Sequence, residues 1–328
     1  MSHSDADSNI PHWVRTLEGI AFADIPIRPA KKLPKFMIIG AAKAGTTALN
    51  QYLSQHPQIF MCPLKEPQFF STNVIYERGL AWYQGLFAGA KPEQICGEAS
   101  TSYTFFPSTP LTPQRIYQAL GNIKLIYMVR EPVSRVESAC LQTIKYQKYV
   151  LNDHDQNYSV DQLIQFGEDP HNPLGLPSFI QGSQYITQIE QYLKFFQPEQ
   201  LLVVFQEDLA QNPDRLLREI FTFIGVDPTL YTKPQTPNQA NVSADMVQGL
   251  KGEKLGKTLQ VIPGYGRLKN LFPDRLKNAL KQLNQQWTTD DQVITFMSEE
   301  TNARLKEHFK PYNQALAEFL NHDLSHWN

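Results

Sequence analysis

The stretch Gly40-Ala41-Ala42-Lys43-Ala44-Gly45-Thr46-Thr47 has the frame of a phosphate loop. A glycine follows an apolar run, four residues intervene, a second glycine comes next, and threonines occupy the hydroxyl position. Such a loop turns successive backbone N–H groups and a helix N-terminus toward one anion. Thr46 stands where a nucleotide triphosphatase carries its lysine, and the lysine within the loop is Lys43. A strand ending in an acidic magnesium ligand is also missing, with Asp208 after LVVFQE as a faint candidate. The loop is therefore expected to hold a phosphate-bearing nucleotide without the usual magnesium apparatus. The plainer alternative is a glycine turn joining a strand to a helix.

A second group of polar residues lies in MVREPVSRVESAC. Arg130 falls at the end of an apolar run, and Ser138 follows about two helical turns later. Arg130 offers a planar fork for a phosphate and Ser138 a hydroxyl. The competing reading pairs Arg130 with Glu131 or Glu137 at the surface.

These groups need a scaffold, and the hydrophobic pattern supplies one. FMIIG (36–40), QICGEAS (94–100), IKLIYMV (123–129) and LLVVF (201–205) are short apolar runs of the kind that form buried parallel strands. Helical patterns alternate with them. TTALNQYLSQH follows the first, and TPQRIYQAL precedes the third with Thr112 as a cap and Pro113 at the first helical position. Pro132 opens a helix after the third run, and NPDRLLREIFTFIGV follows the fourth. Strands alternating with helices predict an α/β fold: a P-loop-like open parallel sheet with helices on both faces. An arginine or a glycine loop at the carboxyl ends of such strands sits where these sheets bind ligands.

Residues 1–34 read as an N-terminal extension and 35–328 as a single domain. Within it, 145–178 is polar and broken by Pro and Gly, and reads as an inserted surface segment or lid on the acceptor side, containing His154 and His171. Residues 232–266 are similarly loose. Toward the end, QVITFMSEETNARLKEHF and PYNQALAEFLNHDL predict two helices, with Pro311 opening or kinking the last.

The 328 residues are 41% hydrophobic and 19% charged, which suits a globular protein with a substantial core and excludes a disordered or collagen-like chain. A net charge of −2 gives no global footprint for a nucleic-acid partner. The three cysteines, Cys62, Cys96 and Cys140, contain no CxxC pair, which argues against a cysteine-built zinc site and for free thiols in a reducing compartment. The polar, acidic first residues and the lack of a long apolar run lead to the expectation of a cytoplasmic protein with no membrane span. The sequence carries no signal of oligomeric state.

Taken together, IIGAAKAGTTAL and VREPVSRVESA resemble the 5′-phosphosulfate loop and the 3′-phosphate motif of sulfotransferases that use 3′-phosphoadenosine 5′-phosphosulfate (PAPS). LLVVFQEDLAQNPDRLLREIFTFIGVDP and TNARLKEHFKPYNQALAEFL are similar to segments common in bacterial members, so the resemblance covers roughly 35–325. It implies transfer of a sulfuryl group from PAPS to a hydroxyl or amine of a small-molecule or glycan acceptor, leaving PAP, with no metal. Lys43 would then contact the departing bridging oxygen. Ala44, Gly45, Thr46 and Thr47 would cradle the 5′-phosphate, and Arg130 and Ser138 would hold the 3′-phosphate. KEPQFF resembles the stretch carrying a glutamate base in heparan-type members, which makes Glu66 the candidate base and Lys65 a candidate assistant; the competing role for Glu66 is a helix-start carboxylate. GEASTSY has no histidine where the small-molecule sulfotransferases keep theirs, and Glu98 there is a second candidate, as base or as a partner of Lys43. GYGRLKN at 264–270 only echoes the family's further nucleotide motif. The rival readings are a P-loop kinase or NTPase and a non-catalytic PAP-binding module.

Overall fold

The computed structural model describes residues 32–149, 158–168, 179–232 and 296–328, with the side chains of 145–149 excepted. His154, His171, the 264–270 motif and nearly all of the predicted 1–34 extension and 232–266 stretch lie outside these residues.

The chain runs β1 (Pro34–Gly40), α1 (Thr46–Ser54), β2 (Ile59–Met61), α2 (Asn73–Tyr76), α3 (Gly79–Gly85), β3 (Ile95–Ala99), α4 (Thr112–Leu120), β4 (Lys124–Val129), α5 (Pro132–Tyr149), α6 (Val160–Glu168), α7 (Tyr185–Leu193), β5 (Leu201–Phe205), α8 (Gln206–Gln211), α9 (Pro213–Ile224) and α10 (Glu299–Leu320). The strands form one sheet in the order β2-β3-β1-β4-β5, and every neighbouring pair is parallel. Helices flank it, giving the predicted α/β architecture.

The sheet is built on burial. Phe36, Met37, Ile38 and Ile39 of β1 and Leu125 to Val129 of β4 are essentially inaccessible, as strands covered on both faces must be. Each such aliphatic or aromatic side chain contributes about 1.5–3 kcal/mol of transfer free energy. β1 lies at the centre: the chain fills β2 and β3 on one side of it and β4 and β5 on the other. The order therefore reverses beside β1, and the crevice at its carboxyl end is the ligand position of an open α/β sheet.

Four strands fall where the apolar runs predict them. β2, only three residues long, is too short to show any period and was not legible. Thr112 and Pro113 are both inside α4, whose N-cap is Leu111, so Thr112 does not cap the helix. The two expected C-terminal helices are one: α10 continues through Pro311 for 22 residues. Pro311 and Glu307 are exposed, so the carbonyl deprived of its N–H partner faces water.

The segment 145–178 is not wholly a surface loop. α5 continues into it, and α6 lies within it with Val160, Leu163 and Ile164 buried. They join Val136 and Cys140 of α5 and Leu305 and Phe309 of α10 in a second, smaller core. The apolar spacing i, i+3, i+4 in a polar stretch is the signal that explains it. Cys62, Cys96 and Cys140 are free and buried. Among the described residues no helix is long and apolar enough to cross a membrane.

Candidate active site

The glycine loop connects β1 to α1 at the reversal point. The Ala41 amide donates to the Met128 carbonyl at 2.6 Å, fastening the loop to β4, and the Ala44 amide turns back to the Ala41 carbonyl at 3.2 Å. Lys43 and Gly45 have φ of 71° and 95°, both left-handed. At Gly45 this conformation is free of Cβ strain, and a Cβ there would lie 3.2 Å from the Met128 methyl. Gly45 caps α1 without a side-chain hydrogen bond, so the first-turn amides have no capping side chain. Thr46 is buried and Thr47 exposed at this end. The arrangement suits an anion.

Arg130 directly follows β4, the strand beside β1. Its Nη1 donates to the Lys43 carbonyl at 3.4 Å, so the arginine side chain lies against the loop. Its backbone is held from α7: the Tyr185 hydroxyl donates to the Arg130 carbonyl at 2.7 Å and accepts from the Arg130 amide at 3.4 Å. The surface-pair alternative is not realised. Both oxygens of Glu131 accept amides at the start of α5, from Val133 at 2.9 Å and Ser134 at 2.7 Å. Glu137 accepts the Met297 amide at 3.1 Å. Among the described residues Arg130 forms no ion pair. Ser138 is half-buried two turns into α5, four residues beyond Ser134 and so on the same helix face.

Glu66 lies between β2 and α2, on a segment strapped to the carboxyl end of β3. Its amide donates to the Ala99 carbonyl at 3.0 Å. One carboxylate oxygen accepts from the Thr101 amide at 2.6 Å and the Thr101 hydroxyl at 3.2 Å, and the other pairs with the Lys65 ammonium. The side chain is 25% exposed, so solvent reaches it. Thr101 opens a single 3₁₀ turn, Thr101–Thr104, and Glu66 caps that turn from a distant segment. The helix-start reading of Glu66 is therefore met in part, though by a turn 35 residues away in sequence.

Glu98, the second candidate base, is fully buried in β3. Its Oε1 accepts from the Tyr103 hydroxyl at 2.7 Å and the Tyr83 hydroxyl at 3.0 Å, and its Oε2 from Ser100 at 3.4 Å. Burial pushes its carboxyl up to about 7; the three hydroxyl donors pull against this, and the nearby Glu66 charge adds to it. A group so enclosed cannot reach an acceptor, which removes it as a base. Asp208 lies in the first turn of α8 rather than at a strand end, so it does not take the magnesium-ligand position.

The structure thus joins Lys43 and Arg130 at one crevice. Sequence reasoning missed Tyr185, whose hydroxyl braces Arg130 across 55 residues, and Thr101, the partner of Glu66. Tyr185 sits in an amphipathic helix pattern and carries no local mark. Thr101 and Tyr103 were visible beside Glu98 in GEASTSY.

A sequence model described as the sulfotransferase domain matches residues 33–318. The chain belongs to the sulfotransferase domain family. Curated relatives include heparan sulfate glucosamine 3-O-sulfotransferase 5 of Homo sapiens, 30% identical over 202 residues, covering 61% of this chain and 56% of the relative. Another is the human bifunctional heparan sulfate N-deacetylase/N-sulfotransferase 2, 30% identical over 261 residues, covering 74% of this chain and 28% of the relative. The chain spans about half or less of the length of these relatives. Among solved structures, a sulfotransferase from Alicyclobacillus acidocaldarius superposes with a TM-score of 0.61 at 25% identity, covering 90% of this chain and 98% of that one.

Proposed function

We propose that this sulfotransferase-family chain moves a sulfuryl group from PAPS to a hydroxyl, or an amine, of a carbohydrate, lipid or small natural product. The observation that carries the reading is the Arg130 guanidinium set against the Lys43 carbonyl at the sheet's reversal point. An arginine guanidinium against a phosphate-loop backbone suits a nucleotide with separate phosphates at its 5′ and 3′ positions. Heparan sulfate is the acceptor in the relatives' names, which favours a carbohydrate.

In this reading the amides of Gly45, Thr46 and Thr47 and the two threonine hydroxyls hold the 5′-phosphate, the Ala44 amide being taken by the Ala41 carbonyl instead, and Arg130 and Ser138 hold the 3′-phosphate. Glu66 takes the proton from the acceptor hydroxyl as the acceptor oxygen bonds to sulfur. The bond from sulfur to the bridging oxygen breaks, and Lys43 stabilises the charge left on the departing phosphate. The protein's contribution is alignment and charge rather than a covalent intermediate. Lys65, paired with Glu66, holds that carboxylate in place beside the site. No step of this scheme calls on a metal.

The test is thermal stabilisation by PAP, by AMP and by ATP with magnesium, followed by labelled transfer from PAPS to a panel of desulfated heparan oligosaccharides, simple sugars, lipids and phenols. Preferential stabilisation by PAP in metal-free buffer supports the donor. Stabilisation by ATP–magnesium alone would indicate the NTPase reading. Binding of PAP with no transfer to any acceptor would indicate a binding module.

A further inference from the structure

Glu66 has φ of 61° and Gln68 of 52°, two non-glycine residues in the left-handed region within three positions. Both conformations are strained for a residue with a Cβ, so this segment keeps its shape only if its surroundings impose it. The constraint comes from the carboxyl end of β3. The Glu66 amide meets the Ala99 carbonyl, the Gln68 amide meets the Ser100 hydroxyl at 3.1 Å, and the Phe70 amide meets the Tyr103 hydroxyl at 3.5 Å.

Two of these three attachments are hydroxyl oxygens, and a hydroxyl has a single proton. It can receive a backbone N–H only when that proton points elsewhere. Both protons point to Glu98: Ser100 donates to its Oε2 at 3.4 Å and Tyr103 to its Oε1 at 2.7 Å. Tyr83 donates to the same Oε1 at 3.0 Å and holds the carboxyl from α3. The carboxyl is fully buried, so no water competes for these donors.

We infer that Glu98 is the positioning residue of the base: by drawing the Ser100 and Tyr103 protons inward, it turns their lone pairs to the Gln68 and Phe70 amides and so fixes the strained segment that presents Glu66. The inference rests on the reading of Glu66 as base given above. Glu98 touches neither donor nor acceptor in this role, and it exchanges no proton with them. The strain in the segment gives the arrangement its consequence, because a loosened segment relaxes away from the left-handed region and carries Glu66 with it.

The test uses the full chain with Ser100→Ala and Tyr103→Phe, each removing one hydroxyl, together with Glu98→Gln. Three quantities are read: amide exchange of the 66–71 segment by mass spectrometry, PAP affinity, and kcat and KM for transfer from PAPS to desulfated heparan oligosaccharides or whichever panel acceptor the wild type sulfates. The expected result is faster exchange in 66–71, kcat lowered by about tenfold or more, and PAP affinity and acceptor KM within about twofold of wild type. Unchanged exchange in the folded Ser100→Ala and Tyr103→Phe chains overturns the inference alone. Faster exchange with unchanged kcat overturns it too, since the segment would then not govern the base. A wild type that transfers to no acceptor overturns the proposed function first, and the inference with it.

Discussion

The Nη1 of Arg130 donates to the backbone carbonyl of Lys43 at 3.4 Å, across 87 residues of sequence. One residue directly follows the strand next to the centre of the sheet and the other lies in the loop after the central strand. Their contact makes one site of two motifs that are separate in the chain.

Arg130→Ala should weaken PAP far more than AMP, because only PAP has a phosphate at the 3′ position. A charge-assisted contact of about 1.5–3 kcal/mol corresponds to roughly a ten- to hundredfold rise in Kd, measurable by calorimetry. Equal losses for the two nucleotides would place Arg130 elsewhere on the ligand. Arg130→Lys should recover only part of the affinity, since the ammonium lacks the planar fork.

Glu66→Gln keeps the shape of the side chain and removes its basicity. Turnover should fall about 10²- to 10⁴-fold while PAP affinity stays at the wild-type level. Full turnover in this variant would refute Glu66 as the base.

Gly45→Ala introduces a Cβ at φ 95°, 3.2 Å from the Met128 methyl. The change should destabilise the fold by about 1 kcal/mol or more and weaken PAP binding, both read from thermal melts with and without the nucleotide. Gly225→Ala, also at positive φ but with nothing near the new Cβ, is the control: a comparable loss of stability and unchanged PAP affinity.

Glu98 gives a pH dependence with a definite sign. Its folded pKa of about 7 lies above the ordinary glutamate value, so the folded state retains a proton that the unfolded state has lost. Its contribution to stability is complete below the unfolded value and is lost as pH rises through about 7. Glu98→Gln has no such loss. The stability of the variant relative to wild type should therefore rise by about 3 kcal/mol between acidic and mildly alkaline pH, measured by urea unfolding across that range. A difference independent of pH would mean that Glu98 does not titrate there.

The sheet was legible because buried parallel strands are written as continuous apolar runs: FMIIG and KLIYMV are such runs, and LLVVF keeps the pattern although at the sheet edge only its Val204 is fully buried. The glycine loop was legible because its chemistry is local. Tyr185 was not, since a tyrosine on an amphipathic helix looks like core until its hydroxyl is seen on the Arg130 backbone. The fully enclosed state of Glu98 was equally hidden: GEASTSY shows a carboxylate beside hydroxyls, but Tyr83 arrives from a different helix. α6 left a faint trace in the spacing of Val160, Leu163 and Ile164, outweighed by the polar residues around them.

α10 inserts Leu305 and Phe309 into the smaller apolar cluster and Leu316 into the larger one. A rod embedded at both places couples their fates: neither cluster can shed its share of α10 without straining the other's hold. Denaturation followed at Trp82 in the main cluster and by thiol labelling at Cys140 in the small one should consequently trace a single coincident transition.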